Sequence, residues 1–98
     1  MKKLFKKADD IMNELGYVLI EENRYGVSYT RTELIYNDSG TMIHQIDLVR
    51  PNSDIYYVIS YEKGFNSDLE NNVVKLSNLE MAALQKKYRE LCRKYGRM

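Results

Sequence analysis

The stretch Tyr25-Gly-Val-Ser-Tyr-Thr30 decides the fold. Large and small side chains alternate along it, so Tyr25, Val27 and Tyr29 project to one face of an extended chain, the two-residue period of a half-buried strand. The surroundings are of the same kind. From Tyr17 to about Glu62 the chain is rich in Tyr, Val, Ile and Thr broken by turn signals, which predicts consecutive antiparallel strands. Tyr17–Glu22 reads as the first, with Asn23-Arg24 as a tight reversal, and the strand that opens at Tyr25 extends toward Tyr36. Asn37-Asp-Ser-Gly40 is a hairpin turn in which glycine supplies the left-handed position. Thr41–Val49 follows, then the turn Pro51-Asn-Ser-Asp54, then Ile55–Glu62, and a polar loop is expected over about residues 63–75.

Outward from this meander lie two amphipathic helices. Leu4, Phe5, Ala8, Ile11, Met12 and Leu15 fall within an arc of about 120° at helical spacing, which predicts a helix over about residues 3–15, stopped by Gly16. Near the other end Ser77-Asn-Leu-Glu80 is a capping box, with Leu76 and Met81 placed as a hydrophobic staple. Met81, Leu84, Tyr88, Leu91 and Tyr95 then recur at helical spacing up to Gly96, predicting a helix over about residues 78–95. The expectation is one α+β domain over residues 1–98, α-ββββ-α, an antiparallel meander of three or four strands with both helices on one face. Ile55-Tyr-Tyr-Val-Ile59 is apolar on both of its faces, so it is either a central strand with a partly covered outer face or part of an exposed tyrosine surface, with Tyr56 expected to point outward.

At 98 residues, 44% hydrophobic and 30% charged, the chain suits a single folded domain without staples. A net charge of +1 argues against a general nucleic-acid coat and against an acidic nucleic-acid mimic. Cys92 is the single cysteine, which excludes an intramolecular disulfide and fits a reducing cytoplasm. The first ten residues turn charged again after Leu4-Phe5 and lack the apolar core of a signal peptide. No run approaches the roughly 18 apolar residues of a membrane span. The expected location is the cytoplasm, with no membrane association.

Little in the chain points to catalysis. His44, the single histidine, shares a strand face with Met42, Ile46 and Leu48 and reads as a satisfied, half-buried side chain. Cys92 lies on the apolar edge of its helix and reads as an inert buried thiol, although a Cys–His pair is a real catalytic arrangement. One His and one Cys do not make a zinc tetrad, and Asn66–Asn72 lacks the acid spacing and the glycine of a calcium loop. Phosphate-binding loops, dinucleotide fingerprints and nucleophile elbows are missing. No enzyme, cofactor or metal is expected.

Partners are the better prospect. Residues 77–98 carry six Lys/Arg against two acids, +4 in a chain of net +1. Lys86, Arg89, Arg93 and Arg97 fall on one outward arc of the second helix, with Lys87 and Lys94 on its flank. Part of that charge is relieved by Lys86–Glu90–Lys94 pairing at i,i+4 and by the helix dipole. The nine tyrosines suit half-buried strands and interfaces alike. Tyr56 and the four outward cations are therefore the candidate contact residues.

The element order with a basic last helix is similar to double-stranded RNA-binding domains, whose last helix opens on a Lys-Lys-x-x-Lys cluster. Here that opening is Ser77-Asn-Leu-Glu-Met-Ala-Ala83, without a lysine, so those contacts are not carried over. Ala8-Asp-Asp-Ile-Met-Asn-Glu-Leu-Gly-Tyr17 and Leu76-Ser-Asn-Leu-Glu-Met-Ala-Ala-Leu-Gln-Lys-Lys-Tyr-Arg-Glu-Leu91 resemble the opening and closing helices of small accessory proteins of phages and prophages of low-GC Gram-positive bacteria. The resemblance implies a genomic setting and no active residues. The expected partner is a host or phage protein, bound by a monomer or homodimer, and the resemblance adds inhibition of a host defence or regulatory factor as one form. The alternative is a nucleic-acid binder that uses the basic helix face.

Overall fold

The computed structural model describes residues 6–34, 41–52, 55–63 and 72–96. Among these, the elements run α1 (Ala8–Glu14), β1 (Val18–Asn23), β2 (Gly26–Leu34), β3 (Thr41–Val49), β4 (Tyr57–Lys63), β5 (Asn72–Val73) and α2 (Asn78–Tyr95). The strands form one antiparallel meander in the order β1-β2-β3-β4-β5. The α+β class with a helix at each end is as the sequence predicts. β5 is a two-residue addition that pairs with β4 inside the expected loop. The expected turn Asn37–Gly40, Leu4 and Phe5, most of the oxygen-rich Asn66–Asn72 stretch, and Ser53 and Asp54 lie outside the described residues.

β2 and β3 are the centre of the sheet, and their register sorts the side chains. Val27 pairs with Leu48, Tyr29 with Ile46 and Arg31 with His44 on one face, while Ser28–Asp47 and Thr30–Gln45 alternate onto the other. Tyr25 does not join its expected face. Asn23 pairs with Gly26, so Arg24-Tyr25 is the two-residue reversal, held by Asn23 Oδ1 accepting the Tyr25 N–H at 2.8 Å. Gly26 has φ +151, and a Cβ there would stand 2.0 Å from the Leu48 carbonyl oxygen. Glycine is required because the β2 backbone comes too near β3 for any side chain.

Both helices cover the same sheet face. Met12 of α1 and Ala83, Leu84 and Leu91 of α2 close over Tyr17, Val27, Tyr29, Ile46 and Leu48; each large apolar side chain so buried contributes about 1.5–3 kcal/mol. α1 begins at Ala8, later than expected, because Lys7 is extended and offers no side-chain cap. Glu90 of α2 supplies it instead, its Oε2 accepting the Ala8 N–H at 3.0 Å. That bond also corrects the expected Lys86–Glu90–Lys94 relief, since Lys94 turns to Glu22.

α2 opens with the expected capping box: Ser77 Oγ accepts the Glu80 N–H at 3.1 Å and Glu80 Oε1 accepts the Ser77 N–H at 2.7 Å. Its buried stripe is rotated by roughly 50° from the apolar arc. The inner row is Glu80, Leu84, Lys87 and Leu91, while Met81 is 44% exposed. Two charged residues belong to the interface, and a reading by hydrophobicity alone places them outside.

Arg50, just past β3, is fully buried. Its Nη1 donates to the Leu91 carbonyl at 3.1 Å and its Nη2 to the Gly96 carbonyl at 2.7 Å, a cation capping the negative end of α2. Tyr56 corrects the remaining expectation. It shares the inner face with Val58 and stacks on Tyr88 of α2, ring centroids 4.1 Å apart at 20°. The outward residue of the pair is Tyr57, one position on, because side chains alternate.

Gly26→Ala is expected to destabilise the fold by about 3 kcal/mol or more, because the Leu48 carbonyl is backbone and has nowhere to move. Urea denaturation followed by circular dichroism checks this; a loss below 1 kcal/mol would contradict the packing described.

Candidate functional site

The arrangement closest to catalytic chemistry lies inside. Tyr17 Oη donates to Glu80 Oε2, and His44 Nδ1 is 2.8 Å from the same phenol oxygen. Since the phenol proton goes to Glu80, Nδ1 carries the ring proton and donates to Tyr17. In the neutral ring Nε2 is then the lone-pair nitrogen, which accepts the Ser60 hydroxyl at 2.7 Å. A Ser–His pair in this tautomer is the arrangement of an activated nucleophile. Here it is walled in: His44 is 2% and Ser60 7% exposed, and neither lines the grooves described below. His44 is thus satisfied as expected, though wholly rather than half buried. The network acts as a polar pin between Tyr17 at the entry to β1, β3, β4 and the first turn of α2. Burial raises the Glu80 pKa, but the Tyr17 and Ser77 hydrogen bonds outweigh it and hold the carboxyl below its ordinary value. Arg31, 3.8 Å from that carboxylate and 4.6 Å over the Tyr17 ring, adds to this. Cys92 is half-buried and sits twelve residues beyond Glu80, about 18 Å along the helix, away from the histidine's network.

The basic face of α2 divides in two. Lys87, 4% exposed, places Nζ between Asp9 at 3.0 Å and Glu22. Lys94 Nζ meets the other Glu22 oxygen at 2.7 Å, where Tyr95 Oη also donates at 3.2 Å. Burial pushes the Glu22 pKa up, but hydrogen bonds from Lys87 and Lys94 outweigh it and bring the value from 4.5 to about 2. Burial likewise disfavours the Lys87 ammonium, and Glu22 and Asp9 reverse that, raising its pKa. Tyr29, buried and donating to Asp9 at 2.6 Å, has its phenol pushed well above the ordinary range by both effects.

The other cations are uncommitted. Among the described residues, Lys7, Lys86, Arg89 and Arg93 make no ion pair; Arg97 lies outside them. They line a groove of about 770 Å³ between the start of α1 and the second half of α2, together with the committed Lys87 and Lys94. Of the four candidate cations the structure therefore gathers Lys86, Arg89 and Arg93, and separates them from Tyr56, which belongs to the helix–sheet interface.

The outer sheet face is the second surface. Among the described residues no element covers it, and it leaves Tyr57 48%, Ile59 44% and Ile43 37% exposed. At its centre Asp47 accepts from Ser28 at 2.7 Å, Gln45 at 2.8 Å and Tyr61 at 3.1 Å, all neutral donors. Burial, and then the charge of Asp47, raise the Tyr61 pKa. Beside Asp47 a shallow depression of about 280 Å³ is bordered by Glu21, Asn23, Tyr25 and Ser28, with no Lys or Arg in its lining. Sequence reasoning missed Asp47 and Glu22, whose only signal was a charged residue inside a strand, and Arg50, which lies just past β3 and carried no such signal. Among the described residues no three His, Cys, Asp or Glu side chains gather as metal ligands, and no helix is long and apolar enough to cross a membrane.

The depressed Glu22 pKa sets a pH dependence. The folded protein binds that proton less readily than the unfolded chain, so the ion pair's stabilisation is complete above about pH 4.5 and is lost as the pH falls toward 2. Stability measured by denaturant titration is expected to drop across that window, and Glu22→Gln to flatten the dependence by on the order of 2 kcal/mol. An unchanged pH profile in Glu22→Gln would show that the carboxylate is not held by Lys87 and Lys94.

Comparison with known proteins leaves the reading to this geometry: no protein-family model, curated protein or solved structure matches the chain.

Proposed function

We propose that this chain is a small non-enzymatic binding protein whose partner is another protein, seated on the open outer face of the sheet. One observation carries the reading: a sheet face that no described element covers, exposing Ile43, Tyr57 and Ile59 around Asp47, a carboxylate that no cation among the described residues pairs. Large apolar side chains exposed on a sheet face suit a protein contact, and tyrosine supplies rigid area with a polar tip. Charge complementarity narrows the partner. The depression beside Asp47 is lined by two carboxylates and no base, so it fits a lysine or arginine that the partner presents among apolar side chains.

The setting we propose is that of a phage or prophage accessory protein, on the resemblance of the two end segments, with a host defence or regulatory protein as the class of target. Sequestration by a rigid face needs no chemistry from the binder. This agrees with a Ser–His pair that is enclosed in the core and not offered to a substrate.

The test is an affinity capture from a low-GC Gram-positive lysate with three tagged baits: wild type, a Tyr57→Asn/Ile59→Asn double variant and an Arg89→Gln/Arg93→Gln double variant. The expected result is a specific protein held by wild type and by the helix variant, and reduced at least about tenfold on the sheet variant, with all three baits equally folded by circular dichroism. An identical set of captured proteins on wild type and the sheet variant would overturn the reading.

A further inference from the structure

The groove between the start of α1 and the second half of α2 is a built cationic surface. Its three carboxylates are already occupied by the protein: Asp9 by Lys87 and Tyr29, Glu22 by Lys87, Lys94 and Tyr95, Glu90 by the Ala8 N–H. Those contacts fix the floor of the groove and consume two of its lysines. Counting every charge in the lining, six cations and three acids, the groove carries +3. Lys86, Arg89 and Arg93 stand three and four residues apart on α2, a row of charges about 4.5–6 Å apart along the axis, with Lys7 across from them.

Two features of the lining select the ligand. Among the described residues Leu91 is its only apolar one and is 1% exposed, so they offer no hydrophobic anchor of the kind protein interfaces are built on. Nucleic-acid interfaces, in contrast, are polar and strongly positive, and arginine forks suit phosphate oxygens. Nor do the described residues place an aromatic side chain in the lining: Tyr88 is engaged with Tyr56, and Tyr95 with Glu22. The described residues thus supply no platform for stacking unpaired bases, which separates this groove from single-strand binding sites.

We infer that this groove binds the phosphodiester backbone of duplex nucleic acid without reading its sequence, as a surface distinct from the sheet face. Lys86, Arg89, Arg93 and Lys7 are the phosphate contacts. Lys87 and Lys94 contribute field from fixed positions.

The experiment is fluorescence anisotropy of a labelled duplex, an unrelated duplex and a single strand, titrated with the full chain over a range of salt. Three or four phosphate contacts predict a log–log salt slope of about −3, affinities for the two duplexes within about threefold of each other, and weaker binding to the single strand. Arg89→Glu/Arg93→Glu should weaken duplex binding at least about tenfold; should that variant fail to fold by circular dichroism, Arg89→Gln/Arg93→Gln gives the same reading. Tyr57→Asn/Ile59→Asn should leave duplex binding unchanged, which separates this inference from the protein-binding proposal. No binding at low salt, a flat salt dependence, tighter binding to the single strand, or a folded charge variant that binds like wild type would each overturn it.

Discussion

The structure depends on one buried ammonium. Lys87 points into the junction of α1, β1 and α2, where Asp9 and Glu22 receive it. A lysine there is costly to desolvate, and only two carboxylates in good geometry offset that cost. Removing either acid leaves a buried charge short of a partner, so the three elements are tied to one relative placement. The same contact aligns Glu22 to hold Lys94 and Tyr95, and Asp9 to receive Tyr29. By committing these groups, it decides which cations of α2 remain available to a ligand.

The rest of the helix–sheet interface follows the same pattern. Its middle is apolar, with Leu84 and Leu91 over Ile46 and Leu48, but both ends of α2 are fixed by polar groups. Glu80, Tyr17, His44 and Ser60 hold the start, and Arg50 holds the end through two carbonyls. An apolar stripe alone leaves a helix free to slide or rotate; directional hydrogen bonds at each end do not. The histidine and serine take part in this positioning.

Much of the fold was legible in the sequence because local rules governed it. Alternation along Val27–Tyr29 and the bounds of β3 came from the strand period, and the start of α2 from its capping box. What escaped was non-local. The true stripe of α2 runs through Glu80 and Lys87, whose burial depends on partners 63 and 65 residues away in sequence. Arg50 reads as a surface residue beside a proline until its helix is in place. Tyr56 and Tyr57 are interchangeable by composition, and only the register of β4 decides which one faces α2. Of the candidate site, Lys86, Arg89 and Arg93 were found from helical geometry, while the carboxylates that shape their groove come from other elements. The outcome is a domain with two unlike outer surfaces, a sheet face that exposes Ile43, Tyr57 and Ile59 around Asp47 and a polar cationic groove.

The most direct measurement is a double-mutant cycle on Glu22→Gln and Lys87→Met, with stability from urea denaturation at neutral pH. If the buried ammonium organises the junction, the two substitutions are coupled by at least about 1 kcal/mol, the double variant losing less than the sum of the single losses. Additive losses would contradict the account, since Lys87 would then be one more solvated lysine on a basic helix.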